Sequence, residues 1–373
     1  MVVDKLIELI KRACFSDLEE IIENADDKMK QVYFNRAIDN CLKYGYIDKA
    51  KEFIDKILYT DILLLEQRPK AIAGVIGALI DAKDKDYVDE LLENGIENLD
   101  VLETDETKHI ILLELAAIFE EKGLRELSIK YCKKYVYRMI QMEKNVFPKD
   151  GCFYMFKPIS EYTVLDLINN SITLSSPYNF NDPIDSLIYE AFDIATKNGK
   201  TDFGNVFETE MRKIRIKCFA MSDEKGTPPV YNTLMWAHYA DSHRGICVKY
   251  KFPIHIFEDS ENFVGRFGIV SYPNESIDVK KDSYDFRECF LTKQSEWHYE
   301  NEIRFIAIDT NRSEQFLSLD LKCPNCIETI YFGRKCSSQM IEAVKRIFEG
   351  KNVSFYRMHF NPNDIFKLCV SEI

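Results

Sequence analysis

Apolar residues recur at steps of three and four through the first 145 positions, which predicts helix after helix. Leu6, Ile7, Ile10 and Ala13 open the pattern; Ala37, Cys41 and Tyr44 continue it, followed by Ala50, Phe53, Ile54 and Ile57. Leu, Ile, Ala, Glu and Lys dominate this stretch, and Pro69 is its single proline. Segments 41–50, 79–88 and 118–127 look alike, with turn positions at Gly45, Asp84 and Gly123 spaced 39 residues apart. A period near 40 suggests stacked helical hairpins. One hairpin cannot cover its own apolar face, so neighbours must stack, and the stack leaves a concave surface for a partner. The Thr104-Asp-Glu-Thr107 segment has capping-box character and places a helix start near His109.

The pattern changes at residues 143–152, where Pro148 and Gly151 interrupt it. Beyond them, short aromatic and β-branched runs predict strands at 152–156, 172–175, 217–221, 246–252, 267–272, 302–308 and 327–332. Helical spacing predicts helices near 163–169, 184–196, 231–241, 280–290 and 338–348. The fold expected is therefore an all-α helical-hairpin repeat domain over 1–145, followed by an α+β domain with a mixed, largely antiparallel sheet over 150–373. At 373 residues the chain exceeds one typical core, which agrees with two domains.

Within the second part, 297–308 reads as one alternating strand. Trp297, Tyr299, Ile303, Phe305 and Ala307 fall on one side; His298, Glu300, Glu302 and Arg304 fall on the other. Four titratable groups in a row are either a solvated ion-pair ladder or the wall of a cleft, with Arg304 anchoring one carboxylate while the other acts. Asn181 and Asp182 suit Asx turns, and Pro183 stiffens the residue before it, so Phe180-Asn-Asp-Pro183 is a rigid loop or the rim of that cleft. His238 and His243 flank a helix end, beside Trp236 and Tyr239, whose rings could stack on a base. Each histidine alone is more often a hydrogen-bonded structural residue than a catalyst; as a pair beside these rings they become site candidates.

Composition narrows the classes. A hydrophobic share of 46% supports folded cores, and a net charge of −13 argues against sequence-independent wrapping of nucleic acid. The longest apolar run, Ala71 to Ile80, is ten residues, too short for a bilayer. No signal peptide pattern opens the chain, and eleven scattered cysteines suit reduced thiols, so a cytoplasmic location without membrane contact is expected. Cys323 and Cys326 have metal-ligand spacing but no second pair follows, and no metal is expected. P-loop, Rossmann and nucleophile-elbow motifs are absent from the sequence.

Three islands carry a resemblance: Ser175-Ser-Pro-Tyr-Asn-Phe-Asn-Asp-Pro183, Trp236-Ala-His-Tyr-Ala-Asp-Ser-His-Arg-Gly245 and Trp297-His-Tyr-Glu-Asn-Glu-Ile-Arg-Phe305. Together they resemble a bacterial domain family of unknown function, number 2971 in that series, over roughly residues 150 to 370. The Glu-x-Glu pair is further similar to the last motif of ADP-ribosyltransferases. That likeness implies NAD as cofactor, with Glu302 holding the ribose and stabilising the oxocarbenium-like transition state, and Glu300 orienting the acceptor. It also implies NAD contacts from Tyr154 and Lys157 on a first strand, Ser175 and Ser176 on a middle strand, and Asn181, Asp182, Trp236, His238, Tyr239, His243 and Arg304 around the cleft. Met155 stands where relatives commonly carry a basic residue, which leaves Lys157 to substitute.

The N-terminal part loosely resembles tetratricopeptide repeats, with a longer period and without the closing proline, and implies a protein partner. Such a pairing fits a toxin or anti-phage effector that modifies a protein or nucleic acid. Two other readings stay open: a non-enzymatic nucleotide- or peptide-binding module, and a nuclease holding Mg²⁺ through Asp182, Asp185, Glu300 and Glu302.

Overall fold

The computed structural model describes residues 2–59, 63, 68–81, 88, 91–92, 105–141, 144–180, 182, 185, 206, 209–253, 257, 263–274, 290–309, 316–321, 323 and 325–373. The chain divides into two compact units, Met1–Arg138 with Lys200–Glu210, and Met139–Gly199 with Met211–Ile373.

The first unit is helical. Its elements are α1 (Val2–Lys11), α2 (Phe15–Glu23), α3 (Asp27–Lys43), α4 (Ile47–Tyr59), α5 (Arg68–Asp81), α6 (Asp105–Glu121) and α7 (Arg125–Gln141), the last running three residues past the unit's edge. Asp26 starts α3 by accepting the Met29 N–H at 2.9 Å, which satisfies one of the donors a helix start leaves unpaired. Most of the predicted apolar face is buried, namely Leu6, Ile10, Ala37, Cys41, Ala50, Phe53, Ile54 and Ile57, whereas Ala13 and Tyr44, which close their helices, are exposed. Gly45 and Gly123 occupy the left-handed region, at φ 82° and 72°, and each ends one helix two residues before the next begins. Asp84, the middle turn of the 39-residue spacing, lies outside the described residues. Helix α6 begins at Asp105, ahead of the start near His109. No helix among the described residues is long and apolar enough to cross a membrane.

The second unit is built on one mixed, mostly antiparallel sheet. Its elements are β1 (Phe153–Lys157), α8 (Glu161–Asn169), β2 (Ser171–Ser175), β3 (Ile214–Ala220), α9 (Thr233–Tyr239), β4 (Ile246–Tyr250), β5 (Phe263–Ile269), β6 (Glu302–Asp309), β7 (Phe316–Asp320), β8 (Ile327–Phe332), α10 (Ser338–Ile347), β9 (Ser354–Asn361) and β10 (Asp364–Glu372). The strand order is β10-β9-β8-β4-β1-β3-β2-β7, with β6 paired to β3 and β5. Among the described strands, β8 and β9 are the one parallel pair, and α10 supplies the crossover such a pair needs. Sequence reading found the seven strands up to β8 apart from β7, and did not find β9 or β10. The helices expected over 184–196 and 280–290 fall almost wholly outside the described residues.

One face of this sheet carries the larger core. Phe153 and Met155 of β1, Phe219 of β3, Val248 and Tyr250 of β4, Phe267 of β5 and Ile303, Phe305 and Ala307 of β6 pack there with Leu167 of α8 and Ile341 and Val344 of α10. The Phe267 and Phe305 rings lie 4.7 Å apart. The opposite face holds a smaller cluster in which Tyr154 and Phe156 meet Met235 and Trp236 of α9. Strand alternation thus gives β1 and β6 two unlike faces.

Candidate functional site

The polar face of β6 is where chemistry gathers. In the β3–β6 ladder Ala220 sits opposite Glu302, and Cys218 opposite Arg304. Residues 295–300 do not continue this strand toward the N-terminus. They form a 3₁₀ turn, and Asn301 follows in the left-handed conformation at φ 43°. The single 297–308 strand expected from alternation is therefore corrected: the strand starts at Glu302. Asparagine tolerates the left-handed region, and here its amide also donates to the Met221 and Ser222 carbonyls at 3.2 and 2.8 Å. Its own carbonyl accepts the Met221 N–H at 3.0 Å. This turn carries Glu300 alongside Glu302 at one cavity of about 580 Å³, a size suited to a nucleotide-sized ligand. Tyr154, Phe156, Phe180, Asp182, Asp185, Cys218, His238, Tyr239, Lys293 and Trp297 also line it.

Two cations organise the carboxylates. Arg304 is fully buried; its Nε donates to Glu302 at 2.9 Å and its Nη2 to both Asp185 oxygens at 2.7 and 2.9 Å. Nη2 also reaches the second Glu302 oxygen at 3.1 Å, so the guanidinium grips that carboxylate with two bonds. Lys293 lies 2.6 Å from Glu300, 3.3 Å from Asp185 and 3.7 Å from Glu302, with its ammonium 4.9 Å from the Trp297 ring centre. Tyr239 donates its hydroxyl to the other oxygen of Glu300, and the Glu302 N–H is accepted by the Tyr272 hydroxyl at 3.0 Å.

These surroundings separate the two glutamates. Burial and the neighbouring Glu302 charge push the Glu300 carboxyl up, against the pull of Lys293 and Tyr239. At Glu302 burial also acts upward, but the charge and hydrogen bonds of Arg304, with Lys293, hold the carboxyl below its usual range. Burial and the Glu300 bond push the Tyr239 phenol up, so it stays a donor. A carboxylate fixed as an anion beside one that binds a proton more readily is the arrangement that assigns acid–base work to two like residues.

Residues 235–305 match the model of a protein family of unknown function, DUF2971. The matched segment runs from α9 to the middle of β6 and contains Trp236, His238, Tyr239, Lys293, Glu300, Glu302 and Arg304. No curated protein and no solved structure matches the chain.

Within the DUF2971 segment, the structure brings Glu300, Glu302, His238 and Tyr239 to the cavity wall, with Arg304 directly behind. Trp236 is not a stacking platform. Its ring is fully buried, edge-on to Phe156 at 5.1 Å, and its Nε1 donates to the Val230 carbonyl at 2.7 Å. His243 does not line the cavity; its ring lies parallel to Trp236 at 6.4 Å, and burial lowers its proton affinity. Trp297, half-buried, replaces Trp236 as the indole on the cavity, because the 3₁₀ turn frees it from the strand face that alternation assigned to it.

Outside the DUF2971 segment, Tyr154 and Asp182 line the cavity, whereas Lys157, Ser175 and Ser176 do not. Lys157 points to the other face, where its ammonium lies 2.6 Å from Asp166 of α8. Ser175 closes β2 opposite Ile216 and Phe316, and Ser176 precedes the short turn Pro177–Asn179. Asn181 lies outside the described residues. Met155 belongs to the phenylalanine-rich core, so a basic residue there would face that core and not the cavity. Phe180, Cys218 and Trp297 are lining residues that sequence reading did not select; each sits in or beside a quoted motif or strand, and only the register shows which way it faces.

Proposed function

We propose that the cavity breaks the glycosidic bond of NAD and transfers ADP-ribose to a macromolecule, with the helical N-terminal unit, read as hairpin repeats, recruiting a protein partner. The observation that carries this reading is the pair Glu300 and Glu302 on one aromatic cavity, with opposite shifts in proton affinity. In the reaction the bond between ribose and nicotinamide breaks with its electron pair leaving on nicotinamide, and positive charge grows on the ribose. Glu302, held as an anion by Arg304, stabilises that charge without having to reorganise. Glu300 in its ionised form takes the proton of the attacking acceptor hydroxyl or amine as the new bond forms. Tyr154, Tyr239 and Trp297 offer ring faces to nicotinamide. Such a transferase suits a toxin or anti-phage effector, by analogy of architecture.

The test is incubation with labelled NAD in cell extract. A labelled macromolecule is expected, and Glu302→Gln should retain NAD binding while losing about 100-fold or more in turnover. Unchanged turnover in that variant, or no consumption of NAD by the native chain, overturns the proposal. One observation favours a second reading as a binding module: Lys293 bridges three carboxylates, so the cluster is internally satisfied. Ligand binding without turnover would select it. A Mg²⁺ nuclease is less favoured, because Asp185 and Glu302 already engage Arg304 and a metal ion would have to displace that fixed cation.

A further inference from the structure

Strand β8, helix α10 and strand β9 form a βαβ unit, and basic residues gather in the loop that enters α10, on a chain whose net charge is −13. Gly333, Arg334 and Lys335 leave the carboxyl end of β8, and Ser337 caps α10 by accepting the Met340 N–H at 3.2 Å. Arg357 of β9 donates to the Arg334 and Cys336 carbonyls at 3.4 and 3.1 Å. From the other side the Lys335 N–H donates to the His243 carbonyl and the Gly333 N–H to the Gly245 carbonyl, both at 2.9 Å. A side chain at position 333 would collide with the His243 backbone. Asp241, Ser242 and His243, which bring that carbonyl to the loop, are all left-handed, at φ 46°, 52° and 73°. This conformation costs residues with side chains about 1–2 kcal/mol each, so the contact with the loop is held against strain.

The charges of this loop are not balanced. In the flanking turns Asp241 is bonded to Arg244 at 2.8 and 2.9 Å, and Asp364 lies 3.1 Å from Lys367. Among the described residues no carboxylate pairs with Arg334, Lys335 or Arg357. Arg334 lies over the Phe360 ring at 4.1 Å, and its Nε is buried without a hydrogen-bond partner, as is Nδ1 of His243. Burial and the charges of Arg334 and Lys335 lower the proton affinity of His243. A helix start carries partial positive charge and is stabilised by acidic residues. Helix α8 follows that rule with Glu161 in its first turn, whereas α10 has no acid there and is preceded by two cations. We propose that the loop between β8 and α10 binds a phosphate group, with Arg334 and Lys335 neutralising its charge and the first-turn N–H groups of α10 donating to its oxygens. A tetrahedral dianion accepts from several directions at once, as side chains and helix start together require; a carboxylate offers two oxygens in one plane. Arg334, Lys335 and Arg357 do not line the Glu300 and Glu302 cavity, so this inference goes beyond the transferase reading and stands without it.

The experiment is equilibrium dialysis of the full chain against radiolabelled inorganic phosphate, with sodium chloride holding the ionic strength constant. Saturable binding with a Kd of about 1 mM or tighter is expected. Lys335 is exposed, so Lys335→Gln should fold as the native chain does and weaken binding about tenfold. Arg334→Gln should weaken it at least as much, whereas Lys251→Gln, at an exposed lysine beyond the other end of β4, should leave it unchanged. No saturable binding above the chloride background, binding untouched by both Lys335→Gln and Arg334→Gln, or an equal loss in Lys251→Gln overturns the inference. Competition identifies the source of the phosphate. Displacement by adenosine 5′-monophosphate at lower concentration than by phosphate itself supports the site and assigns it to a nucleotide; displacement at equal or higher concentration supports it and assigns it to the phosphate group alone. Displacement by adenosine, which carries no phosphate, overturns it.

Discussion

The two faces of the C-terminal sheet are made by the same strands, yet they obey different rules. On the core face Ile303, Phe305 and Ala307 of β6 join Phe153, Phe219 and Phe267, and burial of apolar surface accounts for their positions. On the cavity face the alternate residues Glu302 and Arg304 are equally hidden from water, at 4% and 0% exposure, although burying charge costs free energy unless every group finds a partner. A charged pair buried this deeply is weak evidence for stability. The apolar face explains why the sheet folds, whereas the polar face must be explained by what it does.

Arg304→Met leaves Glu302 and Asp185 buried with only Lys293 as a cation, at 3.7 and 3.3 Å, and is expected to destabilise this unit by about 3 kcal/mol. Urea unfolding followed by tryptophan fluorescence measures it, because both tryptophans, Trp236 and Trp297, belong to this unit. A loss no larger than that of an exposed pair would show that the cluster is not integral. A smaller effect, about 1–3 kcal/mol, is expected for Lys157→Met, which unpairs Asp166 on the core side while Thr173 still donates to that carboxylate at 2.7 Å. Cavity-dependent activity should survive it, since Lys157 faces away; loss of activity at unchanged folding would restore Lys157 to the site. The smallest effect belongs to Ile303→Val on the core face, about 0.5–1.5 kcal/mol with ligand binding unchanged.

Much of this face-by-face logic was legible in the sequence. Period-two spacing in 302–308 fixed which side chains share a side, and helical spacing in 1–57 marked Leu6, Ala37, Cys41 and Phe53 as core. The site was read less well because its geometry depends on a break in the pattern. Trp297 and Tyr299 alternate with Glu300 and Glu302 as though on one strand, and only the left-handed Asn301 shows that they do not. An asparagine between two glutamates is a weak signal, since turn tolerance is a property of the residue and not of its neighbours. Lys157 was misassigned for a different reason: an alternating strand names two sides but not which of them is open. Strands β9 and β10 escaped because each carries polar residues on much of its length, as in Arg357, His359, Lys367 and Ser371, so period two is hard to see there.

Asn301 has one more consequence. Because its amide and carbonyl are tied to residues 221 and 222, the spacing between the two glutamates is referenced to the end of a neighbouring strand and set when the sheet forms. An arriving molecule therefore meets acidic groups whose ordering entropy was lost during folding, and its affinity is not reduced by having to assemble them.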